Sequence, residues 1–263
     1  MADKTLIEWA DATWNPITGC TPISDGCKNC YAKRLIRRFP ALHGYRETGP
    51  VVNGYIEIEP IPFGEIRFHP ERLDQPLKWK KPRRIFVCSM SDLFHEDVKL
   101  EWFQKVYTVI MESERLNPGH TFLMLTKHPK RMSDLIRPKV PLKNLWLGVT
   151  VESDKYLHRI DTLLQIPAAV RFVSVEPMLG PIMFSDPDSP CGENYPGLDW
   201  VILGAESGPG RRPCKIEWMG DVVRQCDDAG MPVFVKQIHN AAGRVVKDIN
   251  LFPEQLQRRE FPK

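Results

Sequence analysis

The chain has 263 residues, 42% of them hydrophobic and 26% charged, with a formal net charge of +3. That is enough apolar material for one large domain with a sizeable core, and too little net charge to require a polyanionic partner on that ground alone. No apolar run approaches the roughly 18 residues of a membrane helix, and seven irregularly spaced cysteines argue against a secreted disulfide framework. Met1 to Leu6 is charged and poor in apolar side chains, so no signal peptide is expected. A reduced, cytoplasmic setting without membrane contact follows.

Residues 1–13 are polar apart from Leu6, Ile7 and Trp9, and are expected to form a strand or a cap on one end of the core. Next comes WNPITGCTPISDGCKNCYA, from Trp14 to Ala32, which places Cys20, Cys27 and Cys30 inside eleven residues as C-x6-C-x2-C. Ala32, Leu35, Ile36 and Phe39 then fall at i, i+3, i+4 and i+7, the apolar stripe of a helix. The start of that helix would point free N–H groups and its positive dipole end at a thiolate centre. From 40 to 82 the chain is punctuated by Pro and Gly and reads as an irregular insertion, with short strands at 55–58 and 66–68.

From Arg84 onward apolar runs and helical patterns alternate. Strands are expected at 84–88, 121–125, 145–149, 170–175, 200–203 and 233–235, and helices at 97–116, 129–136, 154–165 and 217–229. Continuous apolar runs such as Ile85-Phe86-Val87-Cys88 suit parallel strands buried on both faces. The alternation predicts an α/β fold, a parallel sheet with right-handed crossovers. Counting one strand ahead of the cysteines, the expected architecture is a partial or full parallel (β/α) barrel in a single domain. Segment 40–82 would be an insertion near the barrel mouth, and 240–263 a C-terminal tail packed along the outside.

Three neighbouring thiols are odd in number and sit in short loops, so they cannot all pair as disulfides. They can converge on a metal. A closed zinc site takes four ligands, usually from two knuckles or Cys/His pairs. Here one knuckle and one outlying cysteine are present, and His43 lies beyond the predicted helix without a supporting pattern. A [4Fe–4S] cluster on three cysteines leaves one iron open, able to chelate an amine and a carboxylate. That is the ligand logic of radical enzymes that cleave S-adenosylmethionine. No H-x3-H or H-E-x-x-H pair supports catalytic zinc, and the glycine-rich run 204–210 lacks the G-K-[ST] ending of a phosphate loop. Cys88 and Cys226 read as core residues; Cys191 and Cys214 sit in Pro/Gly loops without a partner motif.

The run GCTPISDGCKNCYA resembles the signature of a phage-associated family of three-cysteine-motif proteins of unknown function, described as radical-SAM-like. IFVCSMSDLFH, FLMLTKHPKRM, LWLGVTVES, VRFVSVEPMLGPI, WVILGAESGPGRRP and VFVKQIH are similar to later stretches of that family, so the resemblance covers most of Trp14 to His239. It implies a barrel of the radical-SAM type and a [4Fe–4S] cluster on Cys20, Cys27 and Cys30. S-adenosylmethionine would be the second cofactor, reduced through an external electron donor. The spacing departs from the commonest C-x3-C-x2-C, and Asn29 stands where an aromatic residue usually precedes the last cysteine.

Chemistry in such barrels sits at the C-terminal strand ends. Ser89, Ser91, Asp92 and Glu152, on strands near the cysteines in chain order, are candidate cofactor contacts. Lys127, Glu176, Glu206 and Lys236, elsewhere round the mouth, are candidates for facing substrate. The bland alternative is a salt-bridge network closing the barrel top. Two basic clusters, Lys33, Arg34, Arg37 and Arg38 on the first helix and Lys78 to Arg84 around Trp79, suggest a nucleic acid or nucleotide as substrate. Two functions from different classes stand: a radical enzyme generating a 5′-deoxyadenosyl radical, or a nucleic-acid-binding or scaffold protein with a structural three-cysteine metal site.

Overall fold

The computed structural model describes residues 5–50, 55–116, 119–137, 140–184 and 195–263. Seven parallel strands lie in chain order: β1 (Ala12–Trp14), β2 (Arg84–Val87), β3 (Thr121–Thr126), β4 (Leu145–Thr150), β5 (Val170–Val175), β6 (Trp200–Gly204) and β7 (Val233–His239). An eighth strand, β8 (Val245–Val246), pairs antiparallel with β7. Strands in sequential order with crossovers of one hand carry their helices on one face, so the sheet curls round the other. The curl stops short of a closed barrel. β1 and β8 are the two edges, and β8 takes the side of β7 that a closing pair with β1 would need.

Besides the short turn of helix Gln75–Lys78, the helices are α1 (Tyr31–Arg38), α2 (Leu100–Leu116), α3 (Pro129–Leu135), α4 (His158–Leu164) and α5 (Ile216–Asp228). On α5 the predicted inward positions Met219, Val222, Val223 and Cys226 are all buried. Two differences from the expected pattern bear on function. On α1 only Ala32 and Ile36 are buried, while Leu35 and Phe39 face outward. And β7 runs on to His239, so Lys236 and Gln237 lie within a strand and not beyond it.

Both sheet faces are apolar, as parallel strands covered on each side require. The helix-side core holds Ile85, Val87, Met124, Val149, Val173 and Val235 with the inward helix residues. On the concave side, Phe86, Leu123, Phe172, Trp200, Ile202 and Phe234 close the lower end together with Trp9 and Ala10. The tail contributes here as well, instead of only wrapping the outside: the Phe261 ring stands 5.3 Å from the rings of Trp200 and Phe234. Trp200 Nε1 donates to the Glu260 carbonyl at 2.9 Å, so its polar handle is satisfied in the floor.

Strand alternation carries this aromatic floor up to polar groups. Two residues per step along one face, Leu123 leads to Leu125 and Lys127, Phe172 to Ser174 and Glu176, and Phe234 to Lys236. Gly148 interrupts the β4 column for a steric reason: a Cβ there would lie 2.5 Å from the Phe172 ring. No helix among the described residues is long and apolar enough to cross a membrane.

Segment 40–82 folds as short pieces. Tyr45–Glu47 pairs with Ile58–Pro60, and Arg67–Phe68 pairs with Ile17–Thr18. Leu42, Phe63 and Arg72 from it wall the cavity described below, which puts the insertion at the mouth. It is tied to the cysteine strand through Thr18. His43 donates from Nε2 to the Pro62 carbonyl at 3.0 Å, so its Nδ1 accepts the Thr18 hydroxyl at 2.7 Å, and His69 Nε2 donates to the same hydroxyl oxygen at 2.7 Å.

Candidate metal and cofactor site

The cysteine loop begins at Gly19, whose φ of +93° and close approach to the Glu65 carbonyl exclude a side chain. Gly19 N–H donates to the Met90 carbonyl at 3.0 Å and Ser91 Oγ donates to the Gly19 carbonyl at 2.6 Å, fastening the loop to the end of β2. His95 Nδ1 accepts from Asp97 N–H, so its Nε2 donates to Thr21 Oγ1 at 2.6 Å. Beyond β4, Ser24 Oγ donates to Glu152 Oε1 at 2.5 Å and the Tyr156 hydroxyl donates to Asp25 Oδ2 at 3.1 Å. Beyond β6, Asn29 Nδ2 donates to Glu206 Oε2 at 2.9 Å and Arg212 Nη1 donates to the Asp25 carbonyl at 2.8 Å. The loop is thus anchored to the ends of three alternate strands.

Cys20, Cys27 and Cys30 are free thiols, and all three line one cavity of about 640 Å³ on the concave side above the floor. Ser89, Ser91, Asp92, Lys127, Glu176, Glu206 and Lys236 line the same cavity, whereas Glu152 is fully buried beneath the loop. Burial, and then the neighbouring Asp92 carboxylate and the other two thiols, push the Cys20 thiol up to about 12. Among the described residues no three His, Cys, Asp or Glu side chains converge as ligands of a single ion would. His43 is engaged by Thr18 and Pro62 and adds no ligand. Three thiols on one cavity wall, with Cys27 and Cys30 acting electrostatically on Cys20, form a donor set whose chemistry suits a cluster held by three thiolates. Cys88 and Cys226 are buried as expected and Cys214 is buried too; Cys191 lies outside the described residues.

The carboxylates expected to contact ligand are largely saturated by the protein. Asp92 accepts Thr126 Oγ1 at 2.7 and 2.9 Å, Lys127 N–H at 2.9 Å and Phe94 N–H at 3.0 Å. Glu152 pairs with Arg159 at 2.9 Å and Lys127 at 3.5 Å. Glu176 pairs with Lys236 at 2.8 Å and accepts Trp9 Nε1 at 3.1 Å and Ser174 Oγ at 3.3 Å. Glu206 is gripped by Arg212. Burial alone would raise its pKa, but the Arg212 and Asn29 hydrogen bonds outweigh this and hold it below the usual carboxylate value. Ser91 serves the loop, and Ser89 Oγ donates to Asn15 Oδ1 at 3.2 Å while its carbonyl accepts the Tyr31 hydroxyl. Lys127 and Lys236, the ion-pair partners of Glu152 and Glu176, line the cavity.

Sequence reasoning missed Arg212 and Tyr156 and did not foresee the structural roles of Asn29, Thr126 and Arg34, because each acts through a partner distant in the chain. The glycine-rich run 204–210 gave a signal whose meaning is structural. Gly208, at φ +87°, leaves room for the Arg34 guanidinium, which donates to the Ser207 carbonyl at 3.0 Å and that of Pro209 at 3.3 Å. The basic cluster at 78–84 does not reach the cavity. It leads into the lower end of β2, where Arg84 pairs with Asp11 at 3.1 Å and lies over Phe261. Trp79 packs against the core and holds Arg83 over its ring, so it is not a free stacking platform.

A family profile described as "Protein of unknown function (DUF5131)" matches residues 4–252, and the chain belongs to that family. No curated protein and no solved structure matches it.

Proposed function

We propose that this member of the DUF5131 family is a radical S-adenosylmethionine enzyme, with the part-barrel of that class and a [4Fe–4S] cluster on Cys20, Cys27 and Cys30. One observation carries the reading: all three thiols open onto a single cavity at the C-terminal ends of parallel strands, on a loop anchored to three of those ends. A single closed ion draws its ligands to one point, whereas a cluster takes each thiolate on a separate iron. Cys20, Cys27 and Cys30 would hold such a cluster, which with S-adenosylmethionine and an external electron donor would supply reductive radical chemistry. That chemistry requires a reducing, cytoplasmic setting.

The chain's own residues divide the work. Cys20 must give up a proton that burial makes it hold tightly, so metal loading releases protons and is favoured as pH rises. Asp92, Glu152 and Glu206 hold the loop and the wall. Lys127 and Lys236 present ammonium donors to the bound molecules. The aromatic floor excludes water from below and forces the ligand to enter from the mouth.

The test is anaerobic reconstitution followed by iron and sulfide analysis. Wild-type protein should gain an oxygen-sensitive cluster and cleave S-adenosylmethionine to 5′-deoxyadenosine under strong reductant, and Cys27→Ala should lose the cluster. Full iron and sulfide in Cys27→Ala, or tightly held stoichiometric zinc in the native protein, would overturn the assignment.

A further inference from the structure

The sequence YAKRLIRR of α1 holds four cations and no acid in 8 residues. Arg34 is engaged by the carbonyls of Ser207 and Pro209. Lys33 and Arg37 have no carboxylate partner among the described residues, and Arg38 lies 5.2 Å over the Phe39 ring. Apolar side chains are exposed between these cations: Tyr31, Leu35 and Phe39 are 45%, 37% and 49% accessible. The buried stripe of α1 is only Ala32 and Ile36, so its remaining face is turned to solvent. Tyr31 and Leu35 also line the cavity, which makes this face continuous with the mouth.

Size limits what can enter. A cavity of about 640 Å³ takes small-molecule-sized groups and no folded macromolecule. Inside it Lys127 and Lys236 are ion-paired with Glu152 and Glu176, so the unpaired positive charge at the mouth is that of α1. Unneutralised cations interleaved with apolar and aromatic side chains match a flexible strand that carries phosphates outside and stackable bases between them.

We propose that the outer face of α1 docks single-stranded nucleic acid and feeds one nucleotide into the cavity. The inference rests on the cavity being the reaction site, and it names the substrate class of that site. A base inside a duplex would have to leave its stack to enter, so a single strand is the better ligand.

The experiment follows binding of a fluorescent single-stranded oligonucleotide to the full chain across a salt series, with iron and sulfide measured on the same samples. Each phosphate contact contributes about −0.7 to the slope of log affinity against log salt. Arg37→Glu with Arg38→Glu should flatten the slope by about 1.4. Phe39→Ala should weaken binding about tenfold with the slope unchanged. Lys80→Glu with Lys81→Glu, at the floor end, should alter neither. Binding that falls in the α1 variant while iron and sulfide stay at the wild-type level supports the assignment. An unchanged slope in that variant overturns it, as does equal affinity for polyglutamate, which would make the face a dock for an acidic protein. Cluster loading is read separately, so a protein that binds the strand but never holds iron refutes the radical chemistry and leaves the docking face standing.

Discussion

Glu206→Gln isolates the clamp that joins the cysteine loop to the end of β6. Oε2 of Glu206 accepts Arg212 N–H at 2.7 Å, Arg212 Nε at 3.0 Å and Asn29 Nδ2 at 2.9 Å, while Oε1 accepts Arg212 Nη2 at 2.5 Å. A glutamine keeps its oxygen where three donors converge and turns its amide nitrogen toward Arg212 Nη2. One charge-assisted hydrogen bond is lost, a donor faces a donor, and the guanidinium loses its counter-ion. A hydrogen bond to a charged group contributes about 1.5–3 kcal/mol. The Arg212 side chain is 28% exposed and can turn toward water, so the full penalty of a stranded buried charge does not apply. The expected loss is about 2 kcal/mol in denaturant titration. If the loss falls on local opening of the loop, Cys27 and Cys30 should react with a thiol reagent about 30-fold faster in the metal-free protein. The acid limb supplies a second readout. Glu206 has a depressed folded pKa, so its contribution is present above its ordinary value of 4.5 and is lost as pH falls through the lower folded value. The glutamine variant should therefore show a shallower acid limb. A stability change under about 0.5 kcal/mol together with wild-type thiol kinetics would refute the clamp.

Two other outcomes are expected. Burial, and then Arg72, hold His69 down to about 4 from 6.5, so the unfolded chain binds the proton first; the His69 contribution to stability should fall as pH drops from 6.5 to about 4, by up to about 3 kcal/mol, and level off below, where the carboxylates set the acid limb. His69→Gln should flatten that stretch of the pH–stability curve, and a curve parallel to wild type would show that another group carries the dependence. Gly148→Ala should cost about 1–3 kcal/mol by thermal or denaturant unfolding, since its Cβ would meet the Phe172 ring, and adding Phe172→Leu should recover part of the loss. A neutral Gly148→Ala would mean that the floor repacks freely.

Much of the architecture is legible locally. The runs from Ile85, Phe122, Leu145, Trp200 and Val233 are apolar without a break, that from Val170 is interrupted by Arg171 and Ser174, and strands covered on both faces bury most of each run. Their alternation with helical stripes implies parallel order, and the three cysteines stand close enough in sequence to share a wall wherever the loop lands. The candidate groups at the strand ends are legible too, because residues just past an apolar strand on the concave side have to meet the mouth. What these groups do there is another matter. Glu206 and Glu152 look alike in sequence to Glu176, yet two of them hold the cysteine loop and the third faces the cavity with Lys236.

Tertiary structure decided those roles, since each depends on a partner far away in the chain: Asn29 for Glu206, Ser24 for Glu152, Trp9 for Glu176. It also decided closure. Nothing in the residues of β8 announces that they take the free side of β7, nor that Phe261 returns to the floor, because antiparallel pairing and ring packing are settled by what lies opposite and not by neighbours in sequence. The basic run at 78–84 and that on α1 look equally suited to phosphate; strand direction sends one to the floor and leaves the other at the mouth. Periodicity and composition are local properties and reach the fold class and the cysteine site, whereas the assignment of a charged side chain to scaffold or ligand is a pairwise property of the folded chain.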